Sequence, residues 1–246
     1  MKSTWDNILE MYIHNLISPD GRNTFESTPE LVKVILQKAK ITSNDTVIDI
    51  GCGWGNLTRE IAIYSAHTIG IDPNVDNLNM AQSFKTVCPV KYLQGTFESL
   101  NCFQKIDVAV SSLVFHQVKY LHKTTALKNV NNLLNKNGRF VLCDTMIMFD
   151  AKHNPDFFDM VYRYLLEKTT PPDIYKNYIA PHLQKNYIYT WDDMKKYTPK
   201  DNWFYSLAEL KEWLAECSLM VVDQLELCPF FGIITIEHSS IIRLCQ

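Results

Sequence analysis

Val47-Ile48-Asp49-Ile50-Gly51-Cys52-Gly53-Trp54-Gly55-Asn56-Leu57-Thr58 is the stretch that decides the fold. An apolar run rich in β-branched residues stops at three alternating glycines, and a helical pattern then starts at Asn56 and reaches about Ala62. Glycine permits the turn dihedrals needed between strand and helix, and it lets a ligand approach the backbone with no Cβ in the way. The spacing also discriminates among ligands. A dinucleotide fingerprint requires G-x-G-x-x-G, and here Asn56 stands where the third glycine belongs. A phosphate-binding P-loop requires Gly-Lys-Ser/Thr after its glycines, and none follows.

Downstream, the strand-turn-helix unit repeats. Thr68-Ile69-Gly70-Ile71 reads as a second strand, followed by a helix from about Val75 to Val87. Val90 to Leu93 and Ile106 to Ser112 are two further strands, and a helix spans about Leu121 to Leu134. Asn137-Gly138 turns the chain into a fifth strand beginning at Arg139 to Cys143. Such alternation predicts an α/β fold: an open, doubly wound, mostly parallel sheet with helices on both faces. Right-handed crossovers place the loops after each strand along one edge. Asp72 closes the second strand twenty-one residues after Gly51, so the acid and the glycines meet at that edge. A carboxylate there can accept two hydrogen bonds from ribose hydroxyls.

Upstream, Leu9, Tyr12, Ile13 and Leu16 recur at helical spacing, which predicts one amphipathic helix broken by Ser18-Pro19-Asp20-Gly21-Arg22-Asn23. Thr28-Pro29-Glu30 reopens a helix, with Thr28 as cap and Pro29 at the first helical position. The alternation fails after Ile147. Aromatics crowd the next stretch, and Pro171-Pro172 and Pro181 divide it into short helices, so residues 150–205 read as a helical insertion over the active-site edge. Ser206-Leu207-Ala208-Glu209 fits a capping box, with Tyr205 and Leu210 as its hydrophobic staple. That helix is expected to reach Ser218. Val221 to Leu227 and Ile233 to Glu237 complete seven strands, the last two pairing antiparallel. The expected organisation is a single domain over 1–246. It has a helical N-terminal cap at 1–27, a core at 28–149, the insertion, and a return to the core at 206–246.

Bulk properties narrow the function. The chain of 246 residues is 46% hydrophobic and 21% charged, with a formal charge of -3. A general nucleic-acid binder would show a basic face or stripe, so stable nucleic-acid binding is not expected. No apolar run is long enough for a membrane span, and the N-terminal residues carry no secretory pattern. The seven cysteines, Cys52, Cys88, Cys102, Cys143, Cys217, Cys228 and Cys245, contain no CxxC pair. They read as small buried hydrophobes in a reducing cytoplasm, not as a zinc cluster or a disulfide framework. No metal-ligand set is visible, and none is expected.

With the glycine loop, its acidic strand end and Asp72 in place, the sequence resembles the class I S-adenosylmethionine-dependent methyltransferases. Within them it is most similar to the small-molecule branch of the ubiquinone/menaquinone-biosynthesis kind (methyltransferase type 11/25). The resemblance is close over about residues 28 to 146 and looser over the final helix and strands. It implies a Rossmann-like sheet in the order 3-2-1-4-5-7-6 and S-adenosyl-L-methionine as cofactor, released as S-adenosyl-L-homocysteine. It further implies that Gly51, Cys52, Gly53 and Gly55 contact or make room for the methionine part, with Asp49 ordering the loop from beneath. Asp72 matches the ribose-binding acid, and Pro73 and Asn74 flank the adenine. After the third strand, Thr96 and Phe97 fall at the adenine pocket, Thr96 standing where the family frequently has aspartate. Ser111 closes the fourth strand beneath the donor.

For the acceptor side, His116 follows the fourth strand and suits proton transfer near neutrality. Asp144 ends the fifth strand and faces the same side by topology. These two are the candidate catalytic residues; His116, Tyr12, Tyr162 and Trp203 are candidate walls of the acceptor pocket. An aromatic cap suggests a small organic acceptor enclosed from water, and its tyrosines suggest a homodimer surface. Other readings stay open: methylation of RNA or protein, a carboxy-S-adenosylmethionine synthase-like reaction, and a scaffold without catalysis. The fourth strand ends in Ser111-Ser112-Leu113-Val114, not in the N/D-P-P-Y/F pattern tied to amino-group methylation of bases or glutamine.

Overall fold

The computed structural model describes residues 2–17, 23–100, 104–197 and 202–239. The chain opens with helix α1 (Lys2–Tyr12), and strands β1 (Ile13–Ile17) and β2 (Asn23–Ser27) pair antiparallel after it. The N-terminal segment is therefore not wholly helical. Ile13 and Leu16, expected on one helix face, belong to the hairpin, whose strands run on either side of the expected break. The break itself, residues 18–22, lies outside the described residues, as do Cys102 and Cys245. Tertiary contact explains the outcome. Ser27 Oγ meets Ser112 Oγ at 2.8 Å, and the Glu26 carboxylate accepts from the Asn56 amide, so strand pairing is held from outside the hairpin.

Helix α2 (Pro29–Ala39) starts as its sequence dictates. Thr28 Oγ1 accepts from Leu31 N at 3.2 Å and donates to Met11 O at 2.7 Å, capping one helix while tying off the previous one. The core alternation then runs β3 (Thr46–Ile50), α3 (Asn56–Ala62), β4 (His67–Asp72), α4 (Val75–Ser83), β5 (Val90–Gln94), β6 (Ile106–Ser112), α5 (Tyr120–Leu133) and β7 (Leu134–Thr145). Helices α6 (Pro155–Thr169), α7 (Pro172–Ile174) and α8 (Trp191–Tyr197) follow, then α9 (Leu207–Glu216), β8 (Leu219–Cys228) and β9 (Phe231–His238). The expected capping box forms at α9: Glu209 N donates to Ser206 Oγ, and Ser206 N to the Glu209 carboxylate.

The seven-stranded sheet has the order β5-β4-β3-β6-β7-β9-β8, which is 3-2-1-4-5-7-6 in core numbering, with β9 antiparallel to both neighbours. Period-two alternation sends apolar side chains to two separate cores. Val47, Val108, Val110 and Val141 pack on one face with α2, α3 and α6; Ile48, Ile50, Ala109 and Leu142 pack on the other with α5 and α9. Helix α6 buries Phe158, Val161, Tyr162 and Leu165 in the first of these cores, where Trp5 of α1 also meets Tyr164 and Phe230 edge-on. Because the insertion has no core of its own, it is an outgrowth of the sheet's packing. Among the described residues, no helix is long and apolar enough to cross a membrane.

Candidate active site

At the carboxyl edge of β3 the chain turns sharply. Gly51, Gly53 and Gly55 all take positive φ (80°, 53° and 76°), the left-handed region open to glycine at little cost. Gly51 N and Cys52 N donate to Ile71 O at 2.7 and 2.9 Å, so the loop is laid against the end of β4. The three glycines serve different ends. A Cβ on Gly51 would collide with Val114, and one on Gly55 with the Tyr92 hydroxyl, whereas one on Gly53 would meet open space. Gly51→Ala is therefore expected to cost about 2–4 kcal/mol of stability, combining backbone strain with overpacking. Gly53→Ala is expected to lose only about 1 kcal/mol to its backbone while obstructing whatever occupies the space above it. Thermal unfolding and ligand titration of the two variants separate these effects.

Asp72, at the tip of β4, is the hub of the edge. Its Oδ2 accepts from Gly53 N at 2.9 Å, and its Oδ1 from Asn74 N at 2.9 Å and Asn77 Nδ2 at 3.1 Å. Asn77 in turn accepts from Trp54 Nε1 at 3.2 Å, closing a ring of polar contacts around the loop. A carboxylate offers about four lone-pair positions, so Asp72 retains capacity for a hydroxyl donor from a ligand.

Asp49 sits below, fully buried, accepting from Thr58 Oγ1 at 2.6 Å. Burial pushes its carboxyl up to about 7, against the Thr58 hydrogen bond and with help from the Asp72 charge. The folded state thus holds a proton that the unfolded chain gives up near the ordinary carboxylate range. The associated stability is present in acid and lost as pH rises through about 7. Asp49→Asn, which stays neutral, is expected to raise the melting temperature over wild type most clearly at about pH 8. The gap should close toward about pH 5, as a pair of thermal melts across that range would show.

The glycine loop and Asp72 open into a cavity of about 1390 Å³. Gly51, Gly53, Trp54, Asp72, Pro73, Asn74 and Asn77 line it. Its lining also includes Leu9, Ile13 and Phe25 from the N-terminal segment, Leu165 and Lys168 from α6, and Trp203, Phe204, Phe230 and Phe231. Leu113, also in the lining, is held at φ 61° immediately after β6, a strained conformation for a bulky residue. It delivers the chain into a short turn, Phe115–Gln117, that presents His116 to the cavity.

His116 is held on several sides. Its Nδ1 lies 2.7 Å from Asp144 Oδ1, its carbonyl accepts from Trp203 N at 2.6 Å, and Phe204 stacks on its ring. Asp144 is completely buried and also accepts from Tyr205 OH at 2.9 Å. An acceptor-only carboxylate on Nδ1 selects the tautomer with hydrogen there, which leaves the Nε2 lone pair available.

Other expected site residues lie elsewhere. Phe97 is in the second core, edge-on to Phe115 and Phe140, and Thr96 caps the short turn that carries it; neither lines the cavity. Core packing claims the ring that was expected against adenine. Ser111 is buried and donates to Ile50 O at 2.7 Å, bracing β6 against β3. Cys52 and Gly55 are buried in the loop, and neither lines the cavity. Tyr162 stacks on Phe158 and meets Tyr189 within the insertion, and Tyr12 packs against the first core, so Trp203 is the one expected aromatic wall that reaches the cavity. Asn77, Thr58 and Tyr205 were not anticipated. Asn77 depends on α4 folding back over the tip of β4, and Tyr205 reaches Asp144 across sixty-one residues.

A parallel sheet with antiparallel β9, a glycine loop after its first strand and an acid at the tip of its second together define the class I methyltransferase fold. The chain belongs to a methyltransferase domain family, whose model matches residues 41–196. An uncharacterized methyltransferase of Alkaliphilus oremlandii is 26% identical over 144 residues, 58% of this chain and 66% of that protein. The chain thus spans just under two thirds of this relative and about half of its Bacillus relatives. Among solved structures, the PH0226 protein of Pyrococcus horikoshii shares the fold with a TM-score of 0.59 at 15% identity, covering 86% of this chain and 92% of that one. DhpI, solved with S-adenosylhomocysteine (SAH), superposes with a TM-score of 0.52 at 14% identity, covering 78% and 76%.

Proposed function

We propose that the protein transfers a methyl group from S-adenosylmethionine to an oxygen, nitrogen or carbon atom of a small organic acceptor enclosed in this cavity. The observation that carries the reading is the continuity of the cavity. A single cavity is lined both by the glycine loop and Asp72 and by Trp203, Phe204, Phe230 and Phe231, with His116 on its wall. The fold neighbour DhpI, seen with S-adenosylhomocysteine, supports the choice of cofactor. So does the fit of the loop, since the space above Gly53 is open and Asp72 has acceptor capacity for a ribose hydroxyl. Pro73 and Asn74 line the same cavity and would flank the adenine, and Asp49, bonded to Thr58 of α3, does not line it.

When bound, S-adenosylmethionine supplies a methyl group on a positively charged sulfur. The chain's part is to orient and to exclude water. Phe25, Trp203, Phe204, Phe230 and Phe231 give rigid apolar walls. Alignment of an acceptor behind the transferred carbon provides much of the rate. His116 Nε2 would take the proton that an O–H or N–H acceptor gives up on methylation, the carbon–sulfur electron pair leaving with S-adenosylhomocysteine, and Asp144 would stabilise the resulting imidazolium. We read the buried Cys143, Cys217 and Cys228 as small hydrophobes of the core, a use of cysteine that suits a reducing cytoplasm.

The test is incubation with methyl-labelled S-adenosylmethionine and three separate fractions: filtered metabolites, RNA and protein. Label is expected in the metabolite fraction. Label confined to RNA or protein, or cofactor binding with no transfer to any fraction, overturns the reading.

A further inference from the structure

Behind the His116–Asp144 pair lies a lysine with no solvent contact. Lys123, on the first turn of α5, is completely buried, and a buried lysine without a role is rare because its charge is costly away from water. Its ammonium donates to Phe115 O at 2.8 Å and lies 4.4 Å from the ring centres of both Phe115 and Tyr205, with Trp213 at 5.8 Å. Both main contacts lead to the active site. Phe115 is the residue before His116, and the Tyr205 hydroxyl is the one that donates to Asp144. A cation over the phenol ring withdraws electron density and strengthens that O–H as a donor. Burial pulls Lys123 down to about 7; the largest influence opposing burial is Asp144, followed by Glu209, with Lys195 adding to the fall and Glu98 resisting it.

We propose that Lys123 is a positioning residue for the reaction: it clamps the His116 turn from beneath and supplies the buried counter-charge for Asp144, so that the imidazole stays neutral and able to accept a proton. A buried carboxylate strongly favours one cation beside it. Lys123 supplies that charge across the Tyr205 ring, whose hydroxyl donates to Asp144, so His116 need not carry it. If Lys123 is replaced by an uncharged residue, His116 takes up a proton from solvent, and its Nε2 then holds hydrogen and cannot act as a base. The functional consequence rests on the reading of His116 as the base, but the charge assignment can be measured with no acceptor present.

The measurement is nitrogen-15 NMR of the histidine side chains in the SAH-bound protein, with wild type and variants compared at one pH of about 6.5. His116→Gln identifies the His116 signals among the seven histidines. Wild type is expected to show a neutral ring with a bare Nε2, and Lys123→Arg, which keeps the charge, to match it. Lys123→Gln keeps a donor for Phe115 O but no charge and is expected to show a doubly protonated ring. Lys123→Met, an apolar replacement suited to a buried site, is expected to do the same and serves if the glutamine variant does not fold. SAH affinity within about threefold of wild type (under about 0.7 kcal/mol) marks a folded donor site. Identical His116 signals in wild type and in either folded, uncharged variant overturn the proposal. That result is distinct from failure of the base reading, which would appear as undiminished turnover in a His116 variant.

Discussion

Asp72→Ala is expected to weaken S-adenosylmethionine binding at least about 100-fold, equivalent to about 2.8 kcal/mol, while the chain remains folded. Two losses combine. The carboxylate that would receive the ribose hydroxyls is gone, and hydrogen bonds to an ionised acceptor are worth about 1.5–3 kcal/mol each. The substitution also releases Gly53 N, Asn74 N and the Asn77 amide, which Asp72 gathers at 2.9–3.1 Å and which fix the loop and the start of α4. Asp72→Asn separates the two contributions, because a carboxamide oxygen still accepts from the loop but carries no charge. It is expected to fall between wild type and alanine. Calorimetric titration reads the affinities, and thermal unfolding verifies the fold. Wild-type affinity in folded Asp72→Ala would remove the carboxylate from the donor site and leave the cavity to another ligand.

Why this end of the molecule is legible in sequence, and the acceptor end is not, follows from the range of the interactions. Strand, glycines and helix are contiguous, and the parallel topology sets Asp72 beside them, so spacing along the chain carries the geometry. The full strand order came from family resemblance, since periodicity reveals strands and not their neighbours. Asn77 belongs to the same site but is one polar residue on a polar helix, and only the docking of α4 distinguishes it. The acceptor end is assembled from distant pieces. Tyr205 reads locally as a staple beside the α9 cap, yet its hydroxyl meets Asp144. Phe97 shows the converse: an apolar ring after a strand can face either a ligand or the core, and the neighbours that decide it, Phe115 and Phe140, lie far along the chain. The N-terminal hairpin escaped the helical pattern for a related reason. Its strands are held by Ser112 and Asn56, and no local periodicity encodes those contacts.

For His116→Ala the expected result is a fall in turnover of about 10²–10⁴-fold for an O–H or N–H acceptor, with the S-adenosylmethionine affinity little changed. His116 lines the cavity but makes none of the hydrogen bonds that order the glycine loop and Asp72, so the donor end should survive its loss. Asp144→Asn tests the same chemistry from behind. The substituted amide can donate to Nδ1 and so favour the other tautomer, placing hydrogen on Nε2 and blocking the base; the loss should approach that of alanine at position 116. Tyr205→Phe removes one of the two contacts at Asp144 and should cost less than either. The ordering of these variants, with unchanged cofactor affinity, distinguishes proton transfer from a wall effect, in which bulk at position 116 would matter and Asp144→Asn would be nearly silent. Acceptor chemistry sets the limit of the effect. A nucleophile that is already ionised, or a carbon acceptor with no proton to lose on attack, does not need the base, and alignment alone would then carry the rate. In that case His116→Ala would reduce turnover only a few-fold, equally at all pH values, and the role of His116 would contract to shaping the chamber.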